Sequence, residues 1–170
     1  MPSSSPRGRP FDSRLLRDAL GRFATGVTIV TTRAADGGSI GLTANSFNSV
    51  SLDPPLVLWS LDRASESLEA FLSCSHFAIN VLAEDQVDLS RRFASPVANR
   101  FAGVAFRSGA GDVPLIEGCS AWFECLNRTH HEGGDHVIFV GEVEACGFAD
   151  RPPLLYFGSR YAALRAHPDA

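Results

Sequence analysis

The sequence contains no lysine, so all 15 of its permanently basic side chains are arginines. This absence excludes Schiff-base chemistry and the lysine of a phosphate-binding loop. A C-x-x-C pair is also missing, because the four cysteines, Cys74, Cys119, Cys125 and Cys146, are widely spaced. We expect free, buried thiols, as in proteins of a reducing compartment, and neither disulfides nor a metal site.

Long apolar runs are absent too, and no stretch approaches the roughly 20 apolar residues of a membrane helix. The opening residues, MPSSSPRGRP, include arginines but no apolar core, which is untypical of a signal or an anchor. We therefore expect a cytoplasmic protein with a disordered tail at residues 1–10 and one domain at residues 11–170. A net charge of −4 gives no reason to expect nucleic acid or a membrane as a partner.

The chain has no dinucleotide-binding fingerprint. Gly37, Gly38 and Gly41 have the wrong spacing for G-x-G-x-x-G, and they fall within a predicted hairpin. A G-x-S-x-G elbow and a phosphate-binding loop are likewise missing. The sequence thus gives no support for a Rossmann unit or a hydrolase.

The apolar periodicity predicts a mainly antiparallel α+β protein whose sheet closes into a β-barrel with short flanking helices. A first helix over 11–23 begins at Asp12 or Ser13, a second begins at Ser65, and a third covers 86–94. Predicted strands cover 27–32, 39–43, 56–61, 77–82, 121–131 and 136–148. The last two strands form a hairpin, and we expect Gly133 and Gly134 to be the central residues of its turn.

The segment His130-His131-Glu132-Gly133-Gly134-Asp135-His136 has the composition of a metal site. Adjacent His130 and His131 point to opposite faces of a strand, so both cannot be ligands. A turn centred on the two glycines would place His131 opposite His136. Because no third ligand has a suitable spacing, we predict no metal here, and we expect His136 to meet a substrate.

Short polar side chains dominate the stretch from Thr43 to Ser51, where a plain strand would alternate with larger apolar groups. Two interpretations fit this pattern. It is either a polar edge strand with a turn or a ledge on which a planar ligand approaches the backbone amides. From the residues alone, both interpretations remain open.

Several segments together carry a resemblance to a known family. They are Gly-Leu-Thr-Ala-Asn-Ser-Phe at 41–47, Ser-Val-Ser-Leu-Asp-Pro-Pro-Leu at 49–56, Phe-Ala-Ile-Asn-Val-Leu at 77–82, Gly-Asp-His at 134–136, Gly-Glu-Val at 141–143 and Pro-Leu-Leu-Tyr-Phe-Gly at 153–158. In this order the chain resembles the short-chain flavin reductases from about residue 11 to residue 164. These are the reductase components of two-component flavin-dependent monooxygenases, including the 4-hydroxyphenylacetate type.

The resemblance implies an FMN-binding split barrel, a homodimer, and FMN or FAD bound near the subunit interface. The side chains expected near the flavin ring are Thr43, Ala44, Asn45, Ser46, Ser49 and Phe93. Ser60, Asp62, Arg63, Ser65 and Ser67 would surround the ribityl chain and phosphate, with Arg63 as the phosphate clamp. His136, Phe157 and Tyr161 would face the nicotinamide of NADH or NADPH. The sequence departs from the family pattern at Trp59, where a smaller aliphatic residue is expected.

The function that the resemblance implies is NAD(P)H-dependent hydride transfer to FMN or FAD. Reduced flavin would then diffuse to a partner monooxygenase. We expect His136 to act in catalysis by positioning the nicotinamide, and proton donation is a second role for it. Two alternatives remain open: a stable split-barrel flavoprotein that acts as an electron carrier or oxidase, and a non-catalytic flavin- or haem-binding module.

Overall fold

The structure is a computed structural model that describes residues 12–167, so the expected tail at residues 1–10 lies outside the described residues. The helices are α1 (Ser13–Leu20), α2 (Leu68–Ser73) and α3 (Val87–Phe93). The strands are β1 (Thr25–Gly26), β2 (Thr28–Arg33), β3 (Ser39–Ala44), β4 (Asn48–Leu52), β5 (Pro55–Asp62), β6 (His76–Val81), β7 (Phe106–Ser108), β8 (Pro114–Ile116), β9 (Ala121–Gly133), β10 (His136–Phe148), β11 (Leu155–Phe157) and β12 (Arg160–Ala162). Short 3-10 turns cover Glu84–Gln86 and Ala110–Asp112.

The main sheet has seven strands in the order β3-β2-β6-β9-β10-β5-β4, and all neighbouring pairs are antiparallel. Two small sheets, β1-β11-β12 and β7-β8, complete the strand pairing of the described residues. The Ser46 hydroxyl accepts from the amide of Ser60 at 2.9 Å and donates to its carbonyl at 3.1 Å. Because Ser46 follows β3 and Ser60 lies in β5, these bonds join opposite parts of the sheet. The predicted antiparallel barrel with short helices is confirmed.

Aromatic rings fill the centre of the barrel. Trp59 stacks on Phe139 with 4.8 Å between ring centroids, and Phe71 and Phe77 meet the same indole edge-on. All four side chains are fully buried. The large residue at position 59, where a smaller aliphatic residue was expected, therefore fills the core. Its removal from water is a main contribution to the stability of the barrel.

The turn of the long β9–β10 hairpin differs from the prediction. Gly133 pairs with His136, so the two central residues are Gly134 and Asp135, and Gly134 has φ +75°. A glycine with positive φ at the first central position is typical of a type II′ turn, which suits the twist of a hairpin. His131 consequently pairs with Ile138, and the expected pairing of His131 with His136 is wrong.

The helices begin close to their predicted positions, with one correction. The Asp12 carboxylate caps α1 by accepting from the amides of Arg14 and Leu15. The second helix begins at Leu68 and not at Ser65, because Ser65 closes a turn by donating its amide to the Asp62 carbonyl. The third helix covers Val87–Phe93, within the predicted range.

All four cysteines are free thiols, but they are not all buried as expected. Burial raises the pKa of Cys119 and of Cys125 to about 12, and it also raises the pKa of the half-buried Cys74. Cys146 is exposed on β10. Across residues 12–167, no helix has the length and apolar character needed to cross a membrane.

Candidate functional site

A groove runs along the open edge of β3, between this strand and the segment formed by α3 and the loop after it. It consists of three adjoining hollows of about 230, 410 and 440 Å³, which we call the tyrosine, central and distal hollows. Thr43 and Ala94 line both the tyrosine and the central hollow. Glu66, Ser67, Pro96 and Arg100 line both the central and the distal hollow. The shared residues make the three hollows one continuous channel.

The floor of the groove depends on a glycine in β3. A Cβ at Gly41 would lie 2.7 Å from the Phe93 ring and 3.2 Å from the Phe101 ring, so only glycine allows this approach. The two rings meet edge-on with 4.9 Å between centroids, and Phe93 is buried. This packing holds the end of α3 and the following loop against the edge of the sheet.

A hydroxyl network connects the three elements around the tyrosine hollow. The Thr43 hydroxyl donates to the Ser90 carbonyl at 2.7 Å, and the Ser90 hydroxyl lies 2.9 Å from the Tyr161 hydroxyl. Tyr161 also meets Tyr156 edge-on, and the Arg91 guanidinium lies 5.6 Å from its ring centroid. These contacts fix β12 against α3 and β3, so the wall of this hollow is preorganised.

The backbone of β3 offers hydrogen-bonding groups to the groove, because β3 is an edge strand of the main sheet. The Gly41 carbonyl accepts from Arg100 and not from β2, so it lies on the open side of the strand. Along an antiparallel strand the backbone groups of successive residues point to alternate sides. Gly41 and Thr43 are two residues apart, so the Thr43 amide lies on the same open side as the Gly41 carbonyl. This amide is a donor that a ligand in the groove can use.

Arg100 is the cation of the groove. Its Nε donates to the Ser95 carbonyl at 3.1 Å and its Nη1 to the Gly41 carbonyl at 3.0 Å. Among residues 12–167, no carboxylate oxygen lies within 4.0 Å of its guanidinium. A half-buried arginine that is held by two carbonyls and has no acidic partner is well suited to bind an anion.

Arg63, the expected phosphate clamp, has other partners. Its Nε donates to the Gly134 carbonyl at 3.0 Å, and its guanidinium forms an ion pair with Glu132. Its amide donates to the Asp135 carbonyl. Arg63 therefore ties the end of β5 to the β9–β10 turn, and it lines none of the three hollows.

The groove brings together eight of the side chains that the sequence predicts as site residues. They are Thr43, Ala44, Asn45, Asp62, Ser65, Ser67, Phe93 and Tyr161.

Four further predicted residues lie outside the groove of this chain. Ser46 and Ser60 bond to each other and close the barrel. Ser49 is exposed on β4, at the other edge of the sheet, and Phe157 is exposed on β11. Their contacts with a ligand stay predictions.

His136 lies at the rim of the groove. It pairs across the sheet with Asp62, which lines the central hollow, and its side chain is 43% exposed. Its Nδ1 lies 2.8 Å from an Asp135 carboxylate oxygen, and this hydrogen bond holds the pKa of Asp135 below its ordinary value. The bond fixes the ring and leaves Nε2 available to a ligand. The catalytic role of His136 stays a prediction.

Sequence reasoning missed Arg100, Ser90 and Tyr156. One signal for Arg100 was present, since the chain between Asp88 and Asp112 has four arginines and no acidic residue. Such a segment carries a local positive charge that attracts anions. Ser90 gave no comparable signal, because nothing in its local pattern distinguishes it from a residue of an ordinary helix. Tyr156 lies in the motif at 153–158 that carries the resemblance, but the sequence analysis gave it no role.

An antiparallel split barrel with a ligand groove along one edge strand defines the class of this protein. The chain belongs to the flavin reductase family, because the flavin reductase like domain matches residues 20–165. The FMN reductase (NADH) SmoA of Agrobacterium fabrum is 46% identical over 150 residues, which are 88% of this chain and 85% of that protein.

Three other relatives extend this result. The reductase component of the flavin-dependent trigonelline monooxygenase of Acinetobacter baylyi is 50% identical over 148 residues, which are 87% of this chain. The chain spans 48% of the length of that component and 43% of a Rhizobium meliloti relative that is 54% identical over 135 residues. The Streptomyces globisporus NADH:FAD oxidoreductase SgcE6, solved with NAD and FAD fragments, superposes with a TM-score of 0.86. It is 38% identical, and the match covers 94% of this chain and 95% of that one.

Replacing Gly41 by alanine tests the packing under the groove. The added Cβ must displace the Phe93 ring, so we expect Gly41→Ala to lower the free energy of unfolding by about 1–3 kcal/mol. The measurement is urea denaturation followed by tryptophan fluorescence. Gly26→Ala is the matched control, because no atom lies within 4 Å of its added Cβ, and its effect should stay within about 0.5 kcal/mol. Equal effects of the two substitutions would contradict the close approach.

Proposed function

We propose that the protein is an NAD(P)H:flavin oxidoreductase that passes reduced FMN or FAD to a partner monooxygenase. The observation that carries this proposal is one groove with an available amide at Thr43 and a guanidinium at Arg100 that has no acidic partner among residues 12–167. FMN and FAD have the matching features, since the planar ring carries hydrogen-bond acceptors and the ribityl side chain carries a phosphate or pyrophosphate. Family membership and the names of SmoA and SgcE6 support the same assignment.

The residues of the groove fit a flavin. Small side chains at Thr43, Ala44 and Ala94 leave room for a flat ring beside the backbone of β3. Ser65 and Ser67 lie in the central hollow, and Ser67 Oγ has no hydrogen-bond partner among the described residues. These hydroxyls can donate to the ribityl chain and the phosphate, which Arg100 would neutralise.

The bound flavin supplies the redox chemistry, because it accepts a hydride from NAD(P)H. The chain's own residues hold the two reactants in place. The Thr43 amide would bind the polar edge of the ring, and its fixed direction favours charge that develops there. Two hydrogen bonds keep the opposite wall in position, one from the Thr43 hydroxyl to the Ser90 carbonyl and one between the Ser90 and Tyr161 hydroxyls.

His136 would position the nicotinamide from the rim of the groove. Asp135 accepts from Nδ1–H and remains ionised at neutral pH, so it holds the imidazole in the tautomer whose Nε2 accepts a hydrogen bond. A nicotinamide carboxamide carries an N–H that matches this acceptor. The role is one of orientation. Proton donation is the second role, and it requires the imidazolium form, in which Nε2 carries a proton as well.

Release of the reduced flavin is consistent with the contacts in the groove. They come from a backbone amide, short hydroxyl side chains and one arginine, and such contacts exchange readily. A reductase of this kind needs a partner that consumes the product, and the name of the A. baylyi relative identifies that protein as a monooxygenase component. The four free thiols favour a reducing compartment, so we place this pair in the cytoplasm.

Self-association into a homodimer is supported by an exposed apolar surface on α1 and the turn that follows it. Leu16, Leu20 and Phe23 are 42%, 63% and 76% exposed, and α1 buries none of its residues in the single chain. The Gly158 amide donates to the Gly21 carbonyl, which places exposed Phe157 on β11 near the same surface. Because β11 and β12 also line the groove through Tyr156 and Tyr161, a dimer through this surface would adjoin the flavin site.

The first test is a spectrophotometric assay. Purified protein with NADH or NADPH should bleach the absorbance of added FMN or FAD under anaerobic conditions, because the groove holds both reactants. In the same assay His136→Ala should raise KM for the nicotinamide donor more than it changes the affinity for flavin. Binding of flavin without bleaching would instead indicate a carrier module. Flavin that stays bound through gel filtration, before and after reduction, would indicate a stable flavoprotein.

The second test compares the two arginines. Arg100→Ala should weaken FMN binding roughly ten- to hundredfold, because a hydrogen-bonded charge pair with the phosphate is lost. Riboflavin, which has no phosphate, should bind the variant and the parent equally. Arg63→Ala should change FMN binding by less than about twofold, since this side chain is held at the hairpin turn. The measurement is quenching of flavin fluorescence, and a larger effect at Arg63 would favour the sequence-based prediction.

The third test concerns the dimer. The chain should have twice its monomer mass in size-exclusion chromatography with light scattering, and the double variant Leu20→Glu/Phe23→Glu should be a monomer. Charged side chains on this surface cannot be desolvated without a large cost. Leu52→Glu is the matched control, because Leu52 is exposed on β4, away from α1. A monomeric control with a dimeric double variant would place the interface on β4.

A further inference from the structure

The groove does not end where the flavin phosphate would lie. Beyond Arg100 and Ser67 it opens into the distal hollow of about 440 Å³, between the start of β3 and the loop after α3. This volume falls within the roughly 300–1,000 Å³ of typical small-molecule sites. FMN would fill the tyrosine and central hollows and leave the distal hollow to solvent.

The distal hollow has the lining of a site for a flat heterocycle. Ile40, Val97 and Phe101 supply apolar surface, and Val97 is 46% exposed at its margin. Asn99 accepts the Phe101 amide through Oδ1, while its Nδ2 has no hydrogen-bond partner within residues 12–167. The hollow also has polar lining residues, including Ser39 and Glu66, and its three apolar side chains beside an unused amide donor match a purine, whose ring nitrogens accept hydrogen bonds.

The charges along the groove favour a pyrophosphate over a terminal phosphate. Arg100 and the exposed Glu66 line both the central and the distal hollow. A phosphate monoester has its second pKa near 6, so FMN would place about two negative charges at one point beside Glu66. A pyrophosphate spreads two single charges along the channel, on both sides of Arg100.

We propose that FAD is the preferred flavin of this protein, and that its adenosine half lies in the distal hollow with Arg100 on the pyrophosphate. This inference rests on the proposed function, because it assumes that the flavin ring occupies the other two hollows. NADH also carries adenosine diphosphate, but the distal hollow continues the channel from the flavin phosphate position, so the structure assigns it to FAD. Val97 becomes a residue that determines flavin specificity.

The experiment measures the dissociation constants of FMN and FAD by fluorescence quenching without a nicotinamide donor, and kcat/KM for each flavin with NADH. FAD should bind about tenfold more tightly than FMN, because it covers the apolar side chains of the distal hollow. Val97→Glu should remove most of this difference by adding a charge beside the adenosine and pyrophosphate. Its effect on FMN should be less than about twofold.

Ala105→Glu is the matched control, because it adds the same charge at an exposed position outside the groove and should leave both constants unchanged. Far-ultraviolet circular dichroism and a thermal melt confirm that both variants fold.

Equal affinity for FMN and FAD, with normal reduction of both, would overturn this inference and leave the proposed function intact. An equal loss of both flavins in Val97→Glu would likewise overturn it. If Val97→Glu raises KM for NADH and leaves the affinity for FAD unchanged, the distal hollow would be reassigned to the nicotinamide nucleotide. If neither flavin is reduced by NADH or NADPH, the proposed function itself fails.

Discussion

The contact of the Phe93 ring with the backbone of Gly41 is the constraint on which the groove depends. It lets α3 approach the edge strand β3 closely, and the loop after α3 then crosses the strand at the position where Arg100 reaches the Gly41 carbonyl. A larger residue at position 41 would separate these elements. One small residue in a strand therefore determines the distance between the two walls of the site.

The site is built along an edge strand of the main sheet. The main sheet pairs β3 on one side only, so its other side keeps backbone groups that are not used in strand pairing. Such an edge invites pairing with another chain unless it is covered. In this protein α3 and its loop cover the edge in part, and the remaining gap is the groove. Protection of the edge and formation of a ligand site are thus two results of one arrangement.

Much of the fold could be predicted from the sequence, because its strands have strong apolar or β-branched patterns. The β2–β3 hairpin and the buried strand β5 are examples, and both were placed within two residues. The turn at Gly134 was misplaced by one residue, since two adjacent glycines leave the register of a hairpin undetermined. Because of that one-residue error the predicted pairing of His131 with His136 was wrong, and in the structure these two histidines pair with Ile138 and Gly133.

Most of the predicted residues that line the groove lie in the polar motif that begins in β3 and in the segment from the end of β5, and Phe93 and Tyr161 are the exceptions. Thr43, Asn45, Ser65 and Ser67 belong to these segments, and all four line the groove. The role of Arg100 was not predictable, because it depends on the path of a loop with no regular structure. Arg63 and Arg100 are equally basic in the sequence, and only the three-dimensional positions of Glu132 and Gly134 distinguish them.

The loop that follows α3 takes no part in any strand ladder, and Val97, Ala98 and Asn99 are exposed on it. Substitutions there alter the far wall of the groove without removing any hydrogen bond of the barrel. Evolution can therefore change ligand choice in this segment at little cost in folding stability. Within one family, the barrel can then stay the same while the loop after α3 changes with the flavin chemistry that each organism requires.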